Sequence, residues 1–392
     1  MFLLVAVLFT ACRSSHEEVE EHQDDCFLDI YVYAPGRPIV TRGDVGEVEQ
    51  RAEAESKIHM LQIWVFKHAD QQLVGYIGAG ADDQSAVPDP TILNETGQQT
   101  YRMKVAKEFA DYPEPVDVYV VANAASCGLS LGKNTTIAQL NEAVIGTNYF
   151  GTTDLYDKDD LELPDGRIAK YGLPMSAFVE DQPVTGLFPS LRIGSVEEMT
   201  ILEPTRAVSK LRFVLCQIAN QSESKKLVSI DDIELNGNII PKASWLMPRE
   251  NSNYTEFSTE AIKYGSLTPE AIPAVVDPLV YAYETQTAQE YEDMINTAIG
   301  EGKLKELGLT YLRESDKQLT GTIHYKYSEN GTEKTDVANF AIAAPGDFLR
   351  NHSWIIYVYY MDSKIHILTV TYIGMKKWIE DGADESITVY NW

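Results

Sequence analysis

Six carboxylates crowd one short stretch of the chain: Asp154, Asp157, Asp159, Asp160, Glu162 and Asp165. Clustered hard oxygens are what calcium takes. The EF-hand spacing is not met, however, so the stretch reads as a solvated acidic loop. His16 and His22 stand among carboxylates in RSSHEEVEEHQDD. Such a polar run cannot bury enough apolar area to offset its ordering entropy, and it reads as a flexible tether. Cys26, Cys127 and Cys216 lie at no metal-like spacing, and they form neither a zinc site nor a disulfide framework. They read as buried small hydrophobes. No phosphate loop G-x-x-x-x-G-K-[ST] occurs, and no G-x-G-x-x-G opens a helix. G-x-S-x-G and H-E-x-x-H are also missing. His352, in RNHSW, reads as a packing or capping residue. Carboxylates are too plentiful for one glycosidase pair to stand out without geometry. The expectation is a protein that is not an enzyme and takes no cofactor or metal.

Charge narrows the partners. The chain carries 59 acidic against 32 basic residues, a formal net charge of −27. So negative a surface lacks the Lys/Arg stripe that phosphate binding needs, which excludes nucleic acid. One more side chain has chemistry to offer. The opening MFLLVAVLFTAC runs apolar from Phe2 to Phe9, then small at Thr10 and Ala11, then reaches Cys12. An apolar run ending in small residues is the shape of a secretory signal. With cysteine next, it resembles a bacterial lipobox, although Phe9 replaces the usual leucine and no basic residue precedes the run. Cys12 is therefore the expected lipidation site, palmitate included, and the anchor to a membrane. The run is too short to span a bilayer.

These residues need elements to position them. Cys26–Ala34 (CFLDIYVYA) alternates, with Leu28, Ile30 and Val32 on one face, and reads as a half-buried strand. Further strands are expected at Ile58–Phe66, Leu73–Ile77, Tyr101–Val105 and Val116–Ala122, with a short helix over Thr136–Val144. A second series covers Met199–Leu202, Ala207–Ile218, Val228–Leu235, Thr320–Tyr327, Trp354–Tyr360, Ile365–Tyr372 and Ser386–Trp392. Ala288–Leu307 reads as one long helix, and WIIYVYY at Trp354–Tyr360 as a central strand. Many short strands with few helices predict a mainly β chain of two tandem antiparallel β-sandwiches. The divisions are 1–25 as signal and acidic tether, 26–203 as the N-terminal sandwich, and 204–392 as the C-terminal sandwich.

The fragments, in order along almost the whole chain, resemble the fimbrillin family of Bacteroidales surface pilins, the subunits of type V pili. They are the lipobox-like Cys12, the first strand FLDIYVYA with VTRGD after it, HMLQIWVF, VYVVANA at Val118–Ala124, LPMSA at Leu173–Ala177, PTRAVSKLRFVL at Pro204–Leu215 and FLRNHSWIIYV at Phe348–Val358. The resemblance implies transthyretin-like sandwiches and a lipoprotein precursor carried to the outer membrane. It further implies that an arginine-specific protease cuts in the linker after the first strand. Residues 26–42 would leave, and a strand of another pilin subunit would fill the groove. Arg42 is the expected cleavage site, Arg51 the second and Arg37 the third. Leu28, Ile30 and Val32 would vacate the core.

The terminal strand SITVYNW offers Ile387 and Val389, with Trp392 as an extra anchor, as a candidate donor strand over 386–392. It reads equally as an edge strand of its own sheet. Arg42-Gly43-Asp44 also spells an adhesion tripeptide, and it reads as plain linker. The function implied is a structural, adhesive pilus (fimbria) subunit assembled by donor-strand exchange, outside the cell. The alternative is a monomeric surface lipoprotein that binds glycan or host protein, its tyrosines lining a sugar-binding face.

Overall fold

The computed structural model describes residues 25–33, 58–78, 98–146, 172–221, 225–249, 254–282, 288–373 and 388–391. The chain is mainly β, as its alternating segments predict.

The first sheet joins β1 (Cys26–Tyr33), β4 (Gln98–Val105), β8 (Val184–Leu187), β9 (Ser190–Ile193) and β10 (Ile201–Leu202). The second runs in the order β11 (Thr205–Arg206), β7 (Met175–Gln182), β5 (Val116–Ala122), β2 (Leu61–Lys67) and β3 (Leu73–Ile77). Side chains from both sheets meet in one core, Leu28 and Ile30 of β1 with Ile63, Val65, Val118 and Val120. At one margin β3 and β4 approach so closely that a Cβ on Gly75 would press on the Met103 side chain, which would have to shift.

Two more sheets build the C-terminal half. One contains β12 (Ser209–Ile218), β16 (Ala274–Val275), β17 (Lys305–Leu312), β20 (His352–Met361), β21 (Lys364–Ile373) and β22 (Thr388–Asn391). The other contains β13 (Lys225–Leu235), β15 (Ile262–Lys263), β18 (Thr320–Glu329) and β19 (Thr332–Ala341). Their inner faces share a core with Phe213, Ile233, Ile323, Trp354 and Ile356. As predicted, the Trp354–Tyr360 strand is central, between β12 and β21. Asn330 and Gly331, both at positive φ, make the tight turn between β18 and β19.

Helices are few: α1 (Lys107–Asp111), α2 (Ile137–Glu142) and α3 (Ala288–Gly300). Helix α2 opens on a capping box formed by Thr136 and Gln139. One expectation needs correcting. The long helix predicted to Leu307 stops at Gly300, and Lys305–Leu312 is β17. Gly302 sits at φ +69°, where the chain turns out of the helix. The following residues then pair with β12 from Ser209↔Leu312 to Leu215↔Lys305. Buried Leu309 and Tyr311 decide the matter, because tertiary burial overrides local helical spacing.

A fifth, two-stranded sheet crosses between the halves, β6 (Val144–Gly146) against β14 (Ala243–Trp245). Buried groups reinforce this crossing. Ser176 Oγ donates to the Leu246 carbonyl at 2.6 Å, and Arg313 Nη1 donates to the Gly146 carbonyl at 3.1 Å. Arg350 grips Glu314 through two nitrogens, Nε to Oε2 at 3.0 Å and Nη2 to Oε1 at 2.6 Å. The same guanidinium donates to the carbonyls of Leu246 and Trp245 at 2.8 and 2.7 Å. Burial alone would push the Glu314 carboxyl up, but Arg350 and the Tyr254 hydroxyl more than offset it, and the group sits below its ordinary value. Among the described residues no helix is long and apolar enough to cross a membrane.

Candidate functional site

Strand β1 is the element whose removal the resemblance implies, so its surroundings are the candidate site. Its alternation puts Cys26, Leu28, Ile30 and Val32 on the inward face, each at most 1% exposed. Phe27, Asp29, Tyr31 and Tyr33 are half-buried on the other face. The predicted trio is thus brought together. Cys26 is a fourth inward residue that the trio left out. Counting back two from Leu28 would have found it.

Three strands hold β1 in place. Strand β4 runs antiparallel along its whole length, from Cys26↔Val105 to Tyr33↔Gln98. On the opposite edge β9 is parallel, with Phe27↔Ser190, Leu28↔Leu191 and Asp29↔Arg192. Strand β10 continues that edge, also parallel, with Tyr31↔Ile201 and Val32↔Leu202. The Phe27 amide also donates to the Pro189 carbonyl at 2.8 Å. Sequence reasoning did not foresee β8 and β9, because four-residue strands carry too little alternation to be read.

The outer face is tied down by charge. Arg102 Nε donates to Asp29 Oδ1 at 2.9 Å, and its guanidinium carbon lies 5.6 Å from the centre of the Phe27 ring. Lys104 Nζ pairs with Asp25 at 2.6 Å. These exposed pairs add little each, within about 1 kcal/mol. The inward aliphatics matter more. Burying a side chain such as Leu28, Ile30 or Val32 contributes about 1.5–3 kcal/mol. Beside them in the sheet lie Met103 and Tyr101 from β4, Leu191 from β9 and Leu202 from β10, and the facing sheet adds Ile63, Val65, Val118 and Val120. Burial pushes the Tyr101 hydroxyl up to about 12. Chemically the site is a seated strand: β1 presents one apolar face to a dry core and is hydrogen-bonded along both edges.

The other expected residues fare differently. Cys12, Arg37, Arg42, Arg51, Ile387 and Trp392 lie outside the described residues, as do His16, His22 and the acidic stretch 154–165. Val389 falls within β22, which lies antiparallel on β21 with Thr371↔Thr388, Val370↔Val389, Thr369↔Tyr390 and Leu368↔Asn391. Here the terminal strand is an edge of its own sheet. Cys26, Cys127 and Cys216 are buried.

No protein-family model and no curated protein matches the chain. The solved structures that match include two fimbrial proteins. The tip fimbrial protein Mfa3 of Porphyromonas gingivalis, with its C-terminus truncated, is 13% identical at a TM-score of 0.43, covering 94% of this chain and 100% of that one. A fimbrial assembly protein of Parabacteroides distasonis is 11% identical at a TM-score of 0.44, with the same coverage of 94% and 100%.

Proposed function

We propose that the chain is a structural subunit of a cell-surface pilus, exported as a lipoprotein, that accepts a strand from a neighbouring subunit where β1 now lies. The observation that carries the reading is the seating of β1. Its four inward residues are at most 1% exposed, and both of its edges are hydrogen-bonded. A strand so placed leaves, on removal, an apolar trough and two rows of unpaired backbone groups. An incoming strand satisfies both together.

The remaining parts follow from the sequence. Cys12 is acylated and holds the precursor at the outer membrane. Cleavage after Arg42, or after Arg51, frees residues 26–42. Residues 26–203 and 204–392 each form a β-sandwich, a reading supported by the clusters about Ile30 and about Phe213, while a third cluster with Trp64, Tyr119, Ala207, Leu246 and Tyr311 joins them and β11 pairs with β7 across the division. The assembled subunits serve adhesion outside the cell.

The test is direct. Purified precursor is treated with an arginine-specific protease and run on a gel without boiling. Loss of the segment up to Arg42 or Arg51, followed by an SDS-resistant ladder or a stable complex with a partner subunit, is the expected result. A trimmed chain that stays monomeric with every subunit of its own pilus, and instead retains a glycan on an array, would favour the alternative.

A further inference from the structure

We infer that the segment replacing β1 presents apolar side chains at four successive alternate positions, a pattern that residues 381–392 of a second copy do not supply. The inference rests on the strand-acceptor reading above and sharpens it by naming the partner's chemistry.

The trough sets the demand. Cys26, Leu28, Ile30 and Val32 are 1%, 0%, 0% and 1% exposed, so each of the four positions is dry. The walls are Tyr101, Met103, Leu191 and Leu202. A polar side chain at any of the four would lose its water, and of these walls only Tyr101 carries a hydroxyl. Because side chains alternate along a strand, a replacement running in either direction must supply four consecutive members of one alternating series.

Residues 381–392 read DGADESITVYNW and offer two such series. The odd series is Asp381, Ala383, Glu385, Ile387, Val389 and Asn391, and any four consecutive members include Glu385. The even series is Gly382, Asp384, Ser386, Thr388, Tyr390 and Trp392. Four consecutive members there always include Ser386 and Thr388, and bring either Asp384 or the bulky pair Tyr390 and Trp392. Every register therefore places a carboxylate or a hydroxyl at one of the four dry positions. Ile387 and Val389 fill two positions well, but two do not complete the strand. Meanwhile β22 already has a partner of its own, four residues paired with β21. The terminal strand suits its own sheet, and the trough suits something else.

The experiment uses the full chain with a specific protease site inserted between Tyr33 and Ile58, cut so that β1 is held by non-covalent contacts alone. Three labelled peptides compete for the trough. One spans Asp25–Ala34, one spans Asp381–Trp392, and the third is the second with Glu385→Leu and Asn391→Val, which creates four alternating aliphatics. The first and third should displace β1, and the second should bind about 100-fold more weakly or not at all, because it buries a carboxylate or hydroxyls. Equal binding of the first and second peptides would overturn the inference and leave the acceptor reading standing. Failure of the Asp25–Ala34 peptide to rebind to a cut chain that stays folded would overturn the acceptor reading itself.

Discussion

Ile30→Ala is the sharpest probe of the trough. Ile30 is fully buried, lies opposite Tyr101 in the β1–β4 register, and shares its cluster with Val118 and Val120 from the facing sheet. Truncation removes three carbons from a site walled by two sheets. The loss is then the transfer free energy of those carbons plus a cavity term, about 2–5 kcal/mol in total. Ile30→Val takes away one methylene and should cost about 0.5–1.5 kcal/mol. Asp29→Asn, one residue away on the outer face, weakens only the exposed pair with Arg102 and should cost no more than about 1 kcal/mol. Urea unfolding followed by tryptophan emission measures all three, with Trp64 buried in the adjoining sheet as a local reporter. Hydrogen exchange of the β1 and β4 amides should accelerate most in Ile30→Ala. If Ile30→Ala unfolds no more easily than Asp29→Asn, β1 is not a core strand and the reasoning fails.

Two further outcomes follow from buried groups elsewhere. Arg350→Ala strands the Glu314 carboxylate in a dry site and should destabilise by about 3–5 kcal/mol. Because the Glu314 carboxyl is held below its ordinary value in the folded chain, its contribution is complete above the unfolded-chain pKa and fades as pH falls through the folded one. Unfolding midpoints measured from neutral to acid pH should therefore fall less steeply in Glu314→Gln than in the unaltered chain. Cys216 is pushed up to about 11 by burial, which outweighs its contact with the Tyr357 hydroxyl at 3.0 Å. A thiol reagent at neutral pH should leave it unmodified in the folded chain and label it promptly in denaturant.

Much of this architecture is legible in the sequence wherever one face is buried and the other is wet. CFLDIYVYA alternates cleanly, and the structure seats it as the period dictates. WIIYVYY is apolar throughout because it is covered on both faces, by the sandwich core on one side and by α3 on the other. Legibility ends where context decides. Leu304 and Leu307 continue the helical spacing of the run before them, yet Lys305–Leu312 alternates through Leu307, Leu309 and Tyr311 and pairs with β12 as a strand. Strand β19 is polar along Thr332–Val337 and exposed, an edge guarded by Glu333, Lys334 and Asp336, so no apolar period announces it. The Arg350–Glu314 grip joins residues far apart in the chain, and no local spacing could pair them. At the trough, the sequence supplied the strand that fills it and its inward trio. The walls came from β4, β9 and β10, brought together only by folding.

The seating of β1 also orders events in time. It is synthesised ahead of all its neighbours, yet its parallel partners at Ser190–Arg192 and Ile201–Leu202 come far later in the chain. Contacts that span so much sequence close slowly, since the loop entropy is lost before any pairing repays it. Until Ser190 has been made, β1 has β4 as a partner on one edge and none of its parallel neighbours on the other. A nascent chain thus carries β1 with one edge open until about half of its 392 residues have been made.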